Sequence, residues 1–201
     1  MNEKEWMKSV KQRLKTEKLF KELNLSFYNG KKIPYSYEII SYKEDKPEET
    51  NIIKYETDLF ICENISENKW KPRIIIEGKI NKVTTHDAIT YSQKAATHKN
   101  VHPFLRYGIL IGNRKQYPLP GRLFRHGAHF DFMLSWVGYE ATGKEWEDFK
   151  ELIKNEIKYS QQLEEMIFNS RSRKRKHYTV LQKKLYLKNY KGLDKKFFTE
   201  R

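Results

Sequence analysis

The sequence predicts an α/β fold: a central mixed β-sheet flanked by helices, with a helical C-terminal extension. Three observations predict it. Short runs rich in β-formers, two of them nearly continuous in apolar residues (73–80, RIIIEGKI, and 107–112, YGILIG), read as buried strands. A helical segment with its own start signal lies between those two runs. Beyond residue 142 only helical patterns remain. At 201 residues the chain predicts a single domain, with a core over about 1–137 and the helical extension over about 142–201.

Taken in order, residues 2–24 predict a first helix, because Trp6, Val10 and Leu14 repeat every four residues and Leu19, Phe20 and Leu23 continue the apolar side. Asn29-Gly30 marks a turn. Residues 35–42 (YSYEIISY) predict a strand, 43–50 (KEDKPEET) a polar loop and 52–62 (IIKYETDLFIC) a second strand. A polar turn over 63–71 leads to the third strand at 73–80. Thr84, with Asp87 three residues on, predicts a capped helix that runs past Ala88, Tyr91, Ala95 and His98 and stops before Pro103. The fourth strand is 107–112. Residues 122–137 predict a fifth, broken near Gly127. Thr142 and Glu145 form a capping box for a helix reaching about Phe168, with Phe149, Ile153 and Ile157 on one face. Tyr178, Leu181 and Leu185 predict a last helix, ending near Gly192.

A formal net charge of +14 and a pI near 9.6 favour a polyanionic partner, nucleic acid foremost, because a surplus this large repels itself in the compact state. The lone Cys62 excludes an internal disulfide and a cysteine-rich zinc site. No apolar stretch is long enough to cross a membrane as a helix, and the N-terminal residues lack the apolar core of a signal peptide, so the expectation is a cytoplasmic protein with no membrane partner.

Acid-x-Lys pairs are common in so charged a chain. Those at Glu44/Lys46, Glu67/Lys69, Asp148/Lys150, Glu156/Lys158 and Asp194/Lys196 fall in polar or helical surroundings, where solvated charge is expected. Glu77-Gly78-Lys79 differs because it follows Ile74-Ile75-Ile76 directly. Period-two alternation sends Glu77 and Lys79 to one side of that strand. Charges beside an apolar run must be paired, metal-bound or at an edge. Asp58, inside its own apolar run, poses the same problem. Two carboxylates on neighbouring strands would suit one hard divalent cation, magnesium or manganese, which acidifies a bound water and offsets charge on a phosphate. A buried network that merely orders the sheet is the alternative reading.

These residues resemble the pattern of the PD-(D/E)xK nuclease superfamily, home of most type II restriction endonucleases. That pattern is a helix, a strand bearing Asp, a strand bearing (D/E)xK, a helix and a further strand. Here it falls on the first helix, Thr57-Asp58, Glu77-Gly78-Lys79, the helix from Thr84 and the strand 107–112, with Thr57 where many relatives have Pro. The resemblance implies a restriction-endonuclease-like fold, Asp58 and Glu77 as Mg2+ ligands (Mn2+ substituting) and the Gly78 backbone carbonyl as a further one. It also implies Lys79 as the catalytic lysine, holding a phosphate oxygen or positioning water. Many members add an acid from an earlier element, for which Glu38 is the candidate. Some branches place a Gln in the following helix, for which Gln93 is the candidate, although Thr97 stands where those branches have Tyr. The implied activity is cleavage of double-stranded DNA, by a homodimer if the enzyme is of the type II kind.

Arg114, Lys115, Arg122 and Arg125 cluster around residues 112–121 and predict DNA contact, since arginine forks suit phosphates and guanine edges. The run Arg171, Arg173, Lys174, Arg175 and Lys176 predicts phosphate contact or a linker between helices. His98 and His102, and His126 and His129, complete no tetrahedral set for zinc.

Overall fold

The computed structural model describes residues 1–114, 119–169 and 186. Helix α1 (Glu3–Thr16) begins at a capping box in which the Glu5 N–H donates to Asn2 Oδ1 at 2.9 Å and the Asn2 N–H to Glu5 Oε2 at 3.0 Å. Its buried stripe is Trp6, Met7, Val10 and Leu14, three of which the sequence periodicity had marked. The expected single helix over 2–24 is two. Glu17 leaves helical geometry with ψ near 122°, and α2 (Lys18–Glu22) follows. The break has a partner: the Glu17 carboxylate accepts from Trp146 Nε1 at 2.6 Å and from Lys150 Nζ at 3.2 Å.

Among the described residues seven strands form two sheets. The main sheet holds β1 (Leu25–Tyr28), β4 (Leu59–Ser66), β5 (Lys69–Ile80), β6 (Arg106–Gly112) and β7 (Phe132–Ser135), in the spatial order β1-β4-β5-β6-β7. It is mixed: β1–β4 and β4–β5 are antiparallel, whereas β5–β6 and β6–β7 are parallel. The polar turn expected over 63–71 is instead mostly ladder, with Glu63 opposite Lys71 and Asn64 opposite Trp70. Its polar side chains belong to a hairpin end that stands in water. The parallel β5–β6 pair is joined through α3 (Thr85–Val101), capped by Thr84 and Asp87 as expected.

The segment 122–137 divides differently from its reading as a strand. Residues 121–126 form the short helix α4 (Gly121–His126), which buries Leu123, and only Phe132–Ser135 extends. The Gly127 N–H closes α4 by donating to the Leu123 carbonyl. Helix α5 (Gly143–Phe168) starts at the expected Thr142–Glu145 box and buries Trp146, Phe149, Ile153 and Ile157.

Helices cover both faces of the main sheet. On one face α1 and α5 pack Trp6, Met7, Leu14, Phe149 and Ile153 against Ile74, Ile76 and Leu110. On the other, Ala88 and Ala95 of α3 and Leu123 of α4 lie against Ile75, Ile109 and Ile111. Two glycines let α1 come so close. A Cβ on Gly78 would stand 2.5 Å from Met7 Cγ, and one on Gly112 would stand 2.4 Å from the Trp6 ring. No described helix is long and apolar enough to cross a membrane.

Strands β2 (Lys31–Lys43) and β3 (Lys46–Thr57) form a separate two-stranded arm. The expected loop 43–50 shrinks to a tight turn at Glu44-Asp45, with Glu44 in the left-handed region at φ 52°, and residues 46–50 join the ladder. The expected strand 52–62 is cut at Asp58, where the chain leaves the arm for the main sheet. At its base the arm is seated on α3. Ile33 is buried, His98 Nδ1 lies 3.1 Å from the Pro34 carbonyl oxygen, and the Tyr35 and Tyr55 rings stack beside the imidazole at 3.7 Å between centroids. Burial lowers the His98 pKa to about 4, so the ring is neutral and donates to Pro34.

The glycine contacts predict a contrast. Gly112→Ala should destabilise the protein by about 1–3 kcal/mol through overpacking against Trp6. Gly143→Ala, with no atom within 4 Å of its new Cβ at the start of α5, should be neutral or slightly stabilising. Urea unfolding midpoints of the two variants check it.

Candidate active site

Asp58 occupies the single residue between β3 and β4, and its backbone is held from three directions. The Gly30 N–H donates to the Thr57 carbonyl at 2.9 Å, Thr57 Oγ1 donates to the Lys31 carbonyl at 2.9 Å, and Asn29 Nδ2 donates to the Asp58 carbonyl. Asn29 also reaches the Met7 carbonyl at 3.3 Å, which ties this corner to α1. So fixed, Asp58 turns its carboxylate onto β5: Oδ2 accepts the Gly78 N–H at 2.8 Å. The β4–β5 ladder has ended at Leu59 opposite Ile76, so a side chain takes the N–H that a strand would otherwise have paired.

Glu77 and Lys79 flank that N–H and both project toward α3, as alternation predicts. Glu77 is 1% exposed. Its Oε1 accepts from the Tyr107 hydroxyl of β6 and lies 2.9 Å from Lys94 Nζ of α3. Burial raises the Glu77 pKa to about 7, the nearby Asp58 charge adds to the rise, and Lys94 and Tyr107 oppose it. Lys79 Nζ lies 3.4 Å from Glu3 Oε2, 3.6 Å from Asp87 Oδ1 and 4.9 Å from the centre of the Tyr91 ring. Burial works against its charge, but Tyr91, Glu3 and Asp87 outweigh burial and hold its pKa above the ordinary lysine value. Lys79 is therefore a firm cation and a poor proton acceptor.

The structure thus brings Asp58, Glu77, Gly78 and Lys79 together. Glu38 lies elsewhere, exposed on the arm and accepting from Asn51 Nδ2 at 2.9 Å. Gln93 is exposed on α3, and its neighbour Lys94 is the side chain that reaches Glu77. Arg114 follows β6 with its N–H on the Trp136 carbonyl and its guanidinium 3.5 Å from the Asn81 carbonyl, just past Lys79. Arg122 and Arg125 are exposed on α4, which covers the same sheet face as α3. Lys115, Arg171, Arg173, Lys174, Arg175 and Lys176 lie outside the described residues, as does the expected last helix.

Sequence reasoning missed Glu3, Tyr91, Lys94 and Tyr107 as members of this cluster, and read Asp87 only as a cap. Asp87 does both: Oδ2 accepts from the Thr84 N–H at 2.8 Å while Oδ1 faces Lys79. Spacing on α3 held a usable signal, because Asp87, Tyr91 and Lys94 recur at helical intervals on one face. Glu3 gave none, since nothing local says which face of the sheet α1 will cross. No known protein family matches the chain, and no curated protein is significantly similar to it in sequence.

A carboxyl whose pKa is raised by folding favours the folded state while protonated, and that contribution is lost as pH climbs through the folded value. For Glu77 the window runs from about 4.5 to about 7. In chelator-containing buffer, Glu77→Gln should gain stability relative to the wild type across that window, by roughly 2–4 kcal/mol. Denaturant melts at several pH values test it; parallel pH curves for the two proteins would contradict it.

Proposed function

We propose that this protein is a magnesium-dependent endonuclease acting on double-stranded DNA, of the restriction-endonuclease-like kind. The observation that carries the reading is the 2.8 Å bond from the Gly78 N–H to Asp58, which sets two carboxylates and a lysine around one glycine at the end of a buried strand. The chain order supports it as well. Helix α1, the Asp58 corner opening β4, the Glu77-Gly78-Lys79 end of β5, α3 and β6 follow the element order of the PD-(D/E)xK pattern.

The donor set fits a hard divalent ion. The hydrogen bonds above use Oδ2 of Asp58 and Oε1 of Glu77, which leaves Asp58 Oδ1 and Glu77 Oε2 as hard oxygen donors, and the Gly78 carbonyl is the further ligand that the resemblance implies. Among the described residues no three His, Cys, Asp or Glu side chains converge, so protein would supply only part of a coordination shell. Magnesium suits that arrangement because it keeps several waters. Bound there, it would supply an acidified water and charge neutralisation at the phosphate. The chain's own residues do the remainder. Lys94 and Tyr107 fix the Glu77 carboxylate, and Gly78 fixes that of Asp58. Lys79, held protonated, is suited to a phosphate oxygen, exchanging Glu3 and Asp87 for the substrate. Arg122 and Arg125, exposed on α4 over the same sheet face, would serve as duplex contacts on this reading.

One observation favours a second reading, a basic nucleic-acid-binding protein whose acids are structural. Glu77 already has Lys94 and Tyr107 as partners, as a closed buried network would. Cleavage of supercoiled plasmid in magnesium separates the two. On the nuclease reading Asp58→Ala and Glu77→Ala abolish cutting, yet retain duplex binding in calcium. Lys79→Ala lowers the rate by about two orders of magnitude or more, with a smaller effect on melting. A wild type that binds and never cuts supports the second reading. Discrete fragments indicate a site-specific enzyme and smears a non-specific nuclease, the rival enzymes of the same fold being a junction resolvase, a transposon-end nuclease or a repair nuclease.

Binding to random duplex should weaken log-linearly with added salt through counterion release. Neutralising Arg171, Arg173, Lys174, Arg175 and Lys176 together should flatten that slope without changing sequence preference. Titrations at several salt concentrations measure it, and an unchanged slope removes this run from the interface.

A further inference from the structure

The β2–β3 arm is the largest feature that the candidate site does not use. Its strands, 13 and 12 residues long, extend roughly 40 Å from a base seated on α3. The register sorts its side chains into two faces. One carries Ile33 and Tyr55, opposite each other and turned toward α3 at the base, then Glu38 opposite Asn51 farther out. The other carries Tyr37 opposite Ile52 and Ile39 opposite Thr50. On that second face Tyr37 is 56% exposed, Ile39 41% and Ile52 47%. An antiparallel ribbon ordinarily buries its apolar face, and among the described residues nothing covers this one.

Charge along the arm indicates what does. The same face bears Lys54 opposite Pro34 and Lys32 opposite Glu56 at the base, where Glu56 is already paired with Lys4 at 3.8 Å. The tip is acidic: residues 43–49 hold Glu44, Asp45, Glu48 and Glu49 against Lys43 and Lys46. An acidic tip is a poor match for DNA phosphates, although the whole chain is +14. It is a good match for the basic base of another arm laid alongside in the opposite direction.

We propose that two copies of this chain pair through their arms, antiparallel about a two-fold axis, with Tyr37, Ile39 and Ile52 of one packed on the same residues of the other. Each acidic tip then lies by the Lys32–Lys54 end of its partner, and one self-complementary patch satisfies both copies. The pairing stands independently of the nuclease reading.

Sedimentation of the full chain and two sets of variants test it. The wild type should be a dimer at micromolar concentration, and Tyr37→Ser/Ile39→Ser a monomer with unchanged far-UV circular dichroism. Cys62 is buried, so an introduced cysteine is the accessible thiol. Ile39→Cys should cross-link into a covalent dimer on mild oxidation, whereas Glu38→Cys, on the opposite face, should not. Should the serine variant misfold, the cysteine pair still decides the case. Glu48→Lys/Glu49→Lys and Lys32→Glu/Lys54→Glu should each weaken self-association by roughly tenfold or more, and mixing them should restore it, since both tip-to-base junctions are then complementary. A monomeric wild type, equal cross-linking at both positions, or no recovery on mixing overturns the proposal. So does a serine variant that loses duplex binding at unchanged mass, which would give the arm to nucleic acid instead.

Discussion

Placing a carboxylate inside a sheet between apolar strands opposes folding unless neighbouring elements arrive with partners for it. Glu77 imposes that condition here, and two elements meet it. Helix α3 delivers Lys94 and β6 delivers Tyr107, while the arm-to-sheet corner delivers Asp58, whose like charge raises the cost that they offset. The β5–α3–β6 unit is therefore constrained electrostatically as well as by its Ile75, Ile109 and Ile111 contacts. Had Glu77 been apolar, α3 would have lacked the Lys94 ion pair to this strand. With Lys94 and Tyr107 sharing one carboxylate oxygen, its position is set.

On the opposite face the constraint is steric. Met7 and Trp6 occupy the space that side chains on Gly78 and Gly112 would fill, so α1 touches the backbone of β5 and β6. This close approach brings Glu3 near Lys79 and lets Asn29 span the Met7 and Asp58 carbonyls. Gly78 thereby serves three ends: its bare α-carbon admits α1, its N–H orients Asp58, and its place in the strand separates Glu77 from Lys79. A larger residue would disturb the first directly, by meeting Met7.

The arm and the candidate site meet at Asp58. The chain runs out along β2, back along β3, and turns into β4 at that residue, so a load on the arm would act close to a carboxylate of the site. Charge is divided along the same line, with an acidic arm tip on a chain whose net charge is +14. A uniformly basic surface would serve any polyanion. On the readings proposed above, the division would separate a region for protein from regions for nucleic acid.

The sequence by itself determined the capped helices, the buried strands and the shared side of Glu77 and Lys79, because capping boxes and apolar periodicity act over a few residues. Thr84–Asp87 and Thr142–Glu145 mark the starts of α3 and α5, and the run Ile74-Ile75-Ile76 marks the middle of β5. It misdrew residues 43–50, because lysines, glutamates and a proline look the same in a loop as in an exposed ribbon. It joined β3 to β4, because an apolar run does not reveal where a chain changes sheets. The break at Glu17 and the helical form of 121–126 were likewise hidden, since partners distant in sequence and burial of Leu123 decide them. Only the tertiary structure could choose Lys94 over Gln93 and bring Glu3 to the site while leaving Glu38 on the arm. Those choices rest on how α3 rotates against the sheet and where α1 crosses it, and contacts distant in sequence set them, the Glu3–Lys79 contact across more than seventy residues.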